Sequence, residues 1–285
     1  MEKIILNNGV EMPLEGFGVF QIPDAAQCEQ VVYDAIRTGY RLLDTAAAYG
    51  NEAAVGKGVA RAIKDGLTTR EELFITTKVW VNDMENEEDA YRAVKTSLEK
   101  LEMGYVDLIL LHQPMKDYFA AYRGITRAYK EGLTRAIGVA NFYPAILTNF
   151  CETVEVIPAV NQVELHPFFV QAEALENMKA YGVVPQAWGP LAEGKHGIFT
   201  DPELTAIGSK YGKTAAQVAL KWNAQRGVSI IPKSVHVDRM EQNMDIWDFT
   251  LTEEEMEKVA AKDLGHSEIV DHADPAFVKL VLNLH

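Results

Sequence analysis

Leu73-Phe-Ile-Thr-Thr-Lys78 and Val106-Asp-Leu-Ile-Leu-Leu111 are short apolar runs, and between them Ala90, Val94, Leu98 and Leu101 recur at helical spacing. A short apolar run rich in aliphatic and β-branched side chains reads as a buried strand, and three- to fourfold spacing reads as a helix with one apolar face. The three segments together predict a strand–helix–strand unit. Repetition of such a unit predicts a parallel sheet covered by helices.

The unit recurs along the chain. Gly16-Phe-Gly-Val19 precedes a helix opened by Pro23-Asp24, with Gln27 at the capping-box position and Val31, Val32, Ala35 and Ile36 on its apolar side. Arg41-Leu-Leu-Asp44 precedes a helix from Asn51 that carries Val55, Val59 and Ile63. After the central unit, 106–111 leads to a helix near 117–131, and Thr134-Arg-Ala-Ile-Gly-Val139 leads to one near 143–152. Ala159-Val-Asn-Gln-Val163 leads to 171–181, and Val183 to Ala187 leads through a long loop to 214–226. Gly227-Val-Ser-Ile-Ile231 leads to helices near 236–245 and 252–262, which completes eight strands.

Eight strand–helix units in about 250 residues fit a (β/α)8 TIM barrel. No Pro-, Gly- or Ser-rich linker divides residues 1–285, which predicts a single domain. Ahead of the first unit, Asn8-Gly9 between two extended runs predicts a β-hairpin that closes the bottom of the barrel. A doubly wound open sheet would want G-x-G-x-x-G in its first turn, and neither Gly16-Phe-Gly18 nor Gly56-Lys-Gly58 carries the third glycine. Pro185, inside the seventh run, would remove a ladder donor and is expected at the strand end.

Composition narrows the partners. The 285 residues are 48% hydrophobic, with 27 Lys and Arg against 41 Asp and Glu, a net charge of -14. That balance, with a pI near 5.0, disfavours a nucleic acid or an anionic membrane and leaves a small molecule. Cys28 and Cys151 are the only cysteines, too few for a disulfide scaffold, so a reducing cytoplasm is expected. No apolar run approaches the roughly 20 residues that cross a bilayer, and the start reads as a hairpin rather than a signal peptide. His166, His196, His236, His266, His272 and His285 lack metal-ligand spacing, and no metal is expected.

In a barrel of this kind all strand C-termini share one face, where active sites lie. Asp44, Tyr49, Lys78 and His112 each end or follow a strand. A carboxylate, a phenol, an ammonium and an imidazole make a proton-transfer set. Singly, each has a plain explanation: a turn former, a partly buried aromatic, a snorkelling amine and a core histidine. Their convergence on one face favours chemistry, and by themselves they leave aldol, isomerase and redox reactions open.

The chain resembles the aldo-keto reductase superfamily through a series of stretches in family order. These are Leu43-Asp-Thr-Ala46 with Tyr49-Gly50, Thr77-Lys-Val-Trp80, Asp107-Leu108 to His112 with Pro114, and Ile137-Gly-Val-Ala-Asn-Phe142. Asn161-Gln-Val-Glu164 with His166-Pro167, and Ile231-Pro-Lys-Ser234 with Arg239 and Asn243, continue it almost to the end. With its short loops the chain is similar to bacterial members such as the diketogluconate and methylglyoxal reductases, and to prostaglandin F synthase-like members.

The resemblance implies that Asp44, Tyr49, Lys78 and His112 form a catalytic tetrad. Tyr49 is then the general acid in NADPH-dependent reduction of an aldehyde or ketone. Lys78 would lower the phenol's pKa, Asp44 would hold Lys78 charged, and His112 would hydrogen-bond the substrate carbonyl. Asn141 and Gln162 match carboxamide-binding positions, with Ala140 in place of the usual serine, and Trp188 matches the ring-stacking position usually held by tyrosine. Gly189, Pro190 and Leu191 open a loop with backbone donors for a pyrophosphate. Lys233, Ser234 and Arg239 suit an adenosine 2′-phosphate, hence NADPH over NADH, with Asn243 and Gln242 toward the adenine. Phe20 and Trp80, with Trp247 or Phe277, are expected to line the substrate pocket, and Gln113 replaces a common tryptophan and makes its mouth more polar. The family default is a monomer. Two rivals are a Schiff-base aldolase using Lys78 and a non-catalytic NADP(H)-sensing protein.

Overall fold

The computed structural model describes residues 2–284. Two short strands, β1 (Lys3–Ile5) and β2 (Glu11–Pro13), pair antiparallel across the Asn8-Gly9 turn. Gly9 has φ of 84°, a left-handed conformation that glycine adopts without steric cost. The side-chain amides of Asn7 and Asn8 donate to the carbonyls of Pro158 and Arg135, both at 2.9 Å, beside the starts of two barrel strands. Leu6 and Met12 are buried among interior residues of the barrel. The hairpin therefore closes the N-terminal end, as the turn signal predicts.

Eight parallel strands follow in chain order around the barrel. They are β3 (Phe17–Gly18), β4 (Leu42–Asp44), β5 (Phe74–Val79), β6 (Val106–Leu111), β7 (Thr134–Ala140), β8 (Val160–Glu164), β9 (Val184–Trp188) and β10 (Ser229–Ile230). The first and last are joined by Gly16 N donating to Ile230 O at 2.8 Å and Ile230 N to Leu14 O at 2.9 Å. Gly16 is required at this seam, because a Cβ there would lie 2.2 Å from Leu42 Cδ2.

Period-two alternation splits each strand between two apolar environments. Leu42, Phe74, Leu108, Leu110, Val160 and Val184 fill the barrel interior. Leu43, Ile75, Ile109, Ile137, Val163 and Ala187 face the helices. Each buried Val, Leu, Ile or Phe among them contributes about 1.5–3 kcal/mol. A one-residue slip would exchange the two sets, so the hydrophobic pattern fixes the register.

The covering helices are α1 (Ala25–Thr38), α2 (Glu52–Lys64), α3 (Glu87–Leu101), α4 (Tyr118–Lys130), α5 (Pro144–Cys151) and α6 (Ala172–Ala180). Then come α7 (Pro202–Tyr211), α8 (Ala215–Gln225), α9 (Val237–Met244), α10 (Glu253–Ala260) and α11 (Pro275–Leu282). Asp24 caps α1 by accepting from Gln27 N at 2.7 Å. Reciprocal capping boxes form at Thr214 with Gln217 and at Thr252 with Glu255. Each such cap is worth about 1 kcal/mol.

Three details depart from the sequence expectation. The long loop of the seventh unit contains α7, and the tail beyond Gly265 contains α11. Each starts with an Asp-Pro pair whose aspartate accepts from the first turn. Pro185 is the second residue of β9 rather than its end. Val184 N donates toward β8, to Ala159 O at 3.0 Å, so alternation turns the missing Pro185 donor toward β10. Pairing with β10 begins only at Gln186, and no ladder bond is lost.

Candidate active site

The alternation that buries Leu42 and Phe74 also turns Asp44 and Lys78 inward, at the C-terminal ends of β4 and β5. His112 directly follows β6, and its amide donates to Val79 O at 3.1 Å. Tyr49 ends a single 3-10 turn, Ala47–Tyr49, which Gly50 terminates in the left-handed region. The four converge as expected. Lys78 Nζ donates to Asp44 Oδ1 at 2.6 Å, Thr45 O at 2.9 Å and Tyr49 OH at 3.2 Å. The Tyr49 and His112 rings stand edge to face at 5.7 Å.

Lys78 and Asp44 are 0% and 2% exposed, so the pair is held away from water. Desolvation offsets most of the attraction in such a pair, yet removing one partner costs about 3–5 kcal/mol because the other charge is stranded. Burial alone would pull the Lys78 ammonium down, but Asp44 and Tyr49, through charge and hydrogen bonds, hold it above the ordinary lysine value. An ammonium has three protons, and all three are used. The Tyr49 oxygen therefore accepts from Lys78, and its own proton is free to point away.

The expected lowering of Tyr49 by Lys78 is outweighed. Burial pushes the phenol above its usual range, with Lys78 opposing and the Asp44 charge adding to the rise. His112 moves the other way: burial, then the Lys78 charge and that of His272, hold its imidazole well below 6.5. His112 is a neutral ring whose Nδ1 is buried without a partner among the described residues.

A chain of amides backs this set. Gln162 Nε2 donates to Asp44 Oδ2 at 2.8 Å and to Gln186 Oε1 at 2.7 Å, and Gln186 Nε2 reaches Ser229 Oγ at 3.1 Å. Asn141 Nδ2 donates to His112 O at 3.1 Å, and Asn141 Oδ1 accepts from Trp188 Nε1 at 2.8 Å. Asn141 has φ of 63°, a strained region for which asparagine is better suited than most residues. Gln186, Ser229 and the Thr45 carbonyl were not anticipated. The first two carried a signal, as polar residues at inward strand positions; a backbone carbonyl carries none.

Trp80 stands edge to face with His112 at 5.0 Å, and the Phe20 and Tyr49 rings are 4.9 Å apart. Gln113 is buried beside His112, with Oε1 unpartnered among the described residues. Phe277 lies 5.3 Å from His272, which in turn is 6.2 Å from Trp188. Trp247 is elsewhere: its Nε1 donates to Glu15 Oε2 at 2.8 Å, and its ring packs with the outer layer between barrel and helices.

Trp188 ends β9, and Gly189, Pro190 and Leu191 follow it, with Gly189 at φ of 58°. Ser234 caps the turn before α9, donating to His236 O at 3.1 Å and accepting from His236 N at 3.0 Å. Lys233, Arg239 and Gln242 are exposed, Asn243 is buried, and neither cation has an ion pair among the described residues. In a chain of net charge -14, two uncommitted cations at one helix start suit a phosphate. The amides beside the tetrad likewise suit a carboxamide, so this donor set fits a phosphorylated nicotinamide dinucleotide. Among the described residues no group of three or more His, Cys, Asp or Glu is arranged to hold a metal ion.

Comparison with known proteins identifies the family. The chain is 43% identical over 261 residues to a glyoxal reductase of Bacillus subtilis, covering 91% of this chain and 92% of the relative. It is 39% identical over 268 residues to a methylglyoxal reductase of Escherichia coli K12, covering 92% and 94%. The crystal structure of a Bombyx mori aldo-keto reductase in complex with NADP superposes with a TM-score of 0.90 at 34% identity, covering 98% of this chain and 96% of that one. The sequence pattern of the aldo/keto reductase family matches residues 16–264. In sequence over nearly its whole length, and in fold, this chain belongs to the aldo/keto reductase family.

Proposed function

We propose that the whole chain works as one barrel domain that reduces small aldehydes and ketones with NADPH, with Tyr49 as the proton donor. The observation that carries this reading is the saturated Lys78 ammonium. With its three protons committed to Asp44, Thr45 O and Tyr49 OH, the phenol can accept but not donate toward Lys78. Its proton is left for a substrate oxygen.

Bound NADPH would supply the hydride, since no side chain donates one. Asn141 and Gln162 would hold its carboxamide, Trp188 its ring face, and Gly189 to Leu191 its pyrophosphate. Lys233, Ser234 and Arg239 would take a 2′-phosphate, with Gln242 and Asn243 toward the adenine. A buried donor proton without an acceptor costs more than a buried acceptor without a donor. The unpartnered Nδ1 of His112 is therefore the bare nitrogen, and the proton sits on Nε2, ready for the carbonyl oxygen. As charge develops on that oxygen, Tyr49 gives up its proton while Lys78 stabilises the phenolate left behind. Phe20, Trp80 and Gln113 would shape the pocket.

The relatives named above as glyoxal and methylglyoxal reductases support small carbonyl compounds as substrates. No helix of the described residues is long and apolar enough to cross a membrane. Cys28 and Cys151 are free and buried, which supports a cytoplasmic setting, and a monomer completes this reading. Aldolase chemistry is disfavoured because Asp44 keeps Lys78 charged, and an attacking amine must be neutral. The test is the decay of NADPH absorbance with a panel of aldehydes, ketones and sugars. No decay with any of them would overturn the proposal.

A further inference from the structure

The tail beyond Gly265 crosses the mouth of the barrel and is fastened at both ends. Ser267 Oγ donates to Glu164 Oε2 at 2.6 Å at the end of β8, and Ile269 lies against Gly189. At the far end Asn82 Nδ2 donates to Leu284 O at 3.0 Å, beyond β5. Between these anchors His272 is set between Trp188 at 6.2 Å, Tyr143 at 5.7 Å and Phe277 at 5.3 Å. It is close enough to His112 that a charge on either ring disfavours one on the other. The tail thus brings a second imidazole to the mouth, within electrostatic reach of His112.

The state of that ring follows from its contacts. Tyr143 OH lies 3.4 Å from His272 Nδ1, the one acceptor described for this hydroxyl. A part-buried hydroxyl proton takes the acceptor available to it. Nδ1 is therefore the acceptor, and the ring proton is on Nε2, which has no partner among the described residues. Burial holds the imidazole down to about 4, so it is neutral and a donor across the physiological range.

We propose that His272 Nε2 is a specificity-determining donor for a second oxygen on the carbon next to the reacting carbonyl. The favoured substrates are then 1,2-dicarbonyls and 2-hydroxyaldehydes. This rests on the carbonyl-reductase reading. The reacting carbon takes the hydride and its oxygen takes the Tyr49 proton, while the neighbouring oxygen, unchanged in the reaction, accepts from His272. A site built to hydrogen-bond a substrate oxygen discriminates strongly against the analogue that lacks it.

Methylglyoxal and propanal form a matched pair, equal in carbon count and differing in that oxygen. With NADPH saturating, kcat/KM is measured for both with the unsubstituted protein, His272→Phe and His272→Gln. Phenylalanine keeps a ring against Phe277 and removes the donor; glutamine restores a donor without the ring. The preference for methylglyoxal over propanal is expected to fall about tenfold or more in His272→Phe and to recover to within about threefold in His272→Gln. An equal loss on both substrates, or no recovery with glutamine, would overturn the role of His272 while leaving the reductase reading standing. If the unsubstituted protein consumes NADPH with neither compound nor any other carbonyl, both readings fall together.

Discussion

Gln162 and Asp44 are joined by a hydrogen bond of 2.8 Å, from Nε2 to Oδ2, while the other Asp44 oxygen receives Lys78 at 2.6 Å. The carboxylate is therefore held from two sides. The residue that resemblance assigns to the cofactor's carboxamide also steadies the charge that anchors Lys78. In the proposed function, cofactor binding and proton delivery would thus meet in one amide, which Gln186 holds in turn at 2.7 Å.

Replacing Gln162 by leucine separates these roles. The Asp44 oxygen loses a buried donor, a cost of about 1–3 kcal/mol. The expected result is a higher NADPH dissociation constant together with a fall in kcat of roughly tenfold at saturating cofactor. Fluorescence titration and single-turnover rates would show both. A weakened cofactor with kcat intact would mean that the Asp44 bond has no part in proton delivery.

Tyr49→Phe removes one oxygen from the site and leaves the ring beside Phe20 and His112. NADPH binding should persist, while carbonyl reduction falls by roughly a hundredfold to ten-thousandfold, the range for a general acid. The pH profile gives an independent test. Because burial keeps the phenol above its ordinary value near 10, it is protonated below that pH, and reduction should decline only on the alkaline side. A chemical step that declines with a midpoint near neutrality would assign the acid to another group.

Arg239 is exposed at the start of α9 without an ion pair among the described residues, so its removal costs the fold little. A charge-assisted contact to phosphate contributes about 1.5–3 kcal/mol. Arg239→Ala should therefore lower NADPH affinity roughly tenfold to a hundredfold relative to NADH. The difference should shrink at high salt, as expected for a solvent-exposed charge contact. Equal effects on the two cofactors would defeat the 2′-phosphate assignment.

The barrel and the meeting of its polar strand-end residues are legible in the sequence for one reason: period-two strands fix which side faces in, and the strand ends share one face. Asp44, Lys78 and His112 follow directly from that pattern. The same rule reaches Gln186 and Ser229 only once register is known, because without it a polar strand residue is as easily assigned to the helix-facing side. The helix α11 is hidden by being apolar on most sides, with Phe277, Val278, Leu280, Val281 and Leu282 in one short run, and so lacks the polar face that marks an amphipathic helix. The direction of the Tyr49 shift is hidden because the sequence names its charged neighbours and not its burial.

Glu15 offers a last prediction, separate from the chemistry. It is fully buried at the seam between β3 and β10, with Oε2 accepting from Trp247 Nε1 at 2.8 Å and Oε1 unpartnered among the described residues. Burial, against the indole bond, raises its carboxyl to about 8. In the unfolded chain a glutamate titrates near 4.3. Between these values the folded protein holds a proton that the unfolded chain has lost, so stability falls as pH rises through the window. The stabilisation is complete below the lower value and gone above the upper one, with a span on the order of 5 kcal/mol at most. Glu15→Gln keeps an acceptor for Trp247 and cannot ionise. Its urea midpoint should draw ahead of the unsubstituted protein's as pH rises from about 5 to about 9, and an alkaline change in tryptophan fluorescence near the Glu15 midpoint should vanish in the variant. Parallel stability curves across that range would mean that the Glu15 carboxyl titrates no differently folded than unfolded.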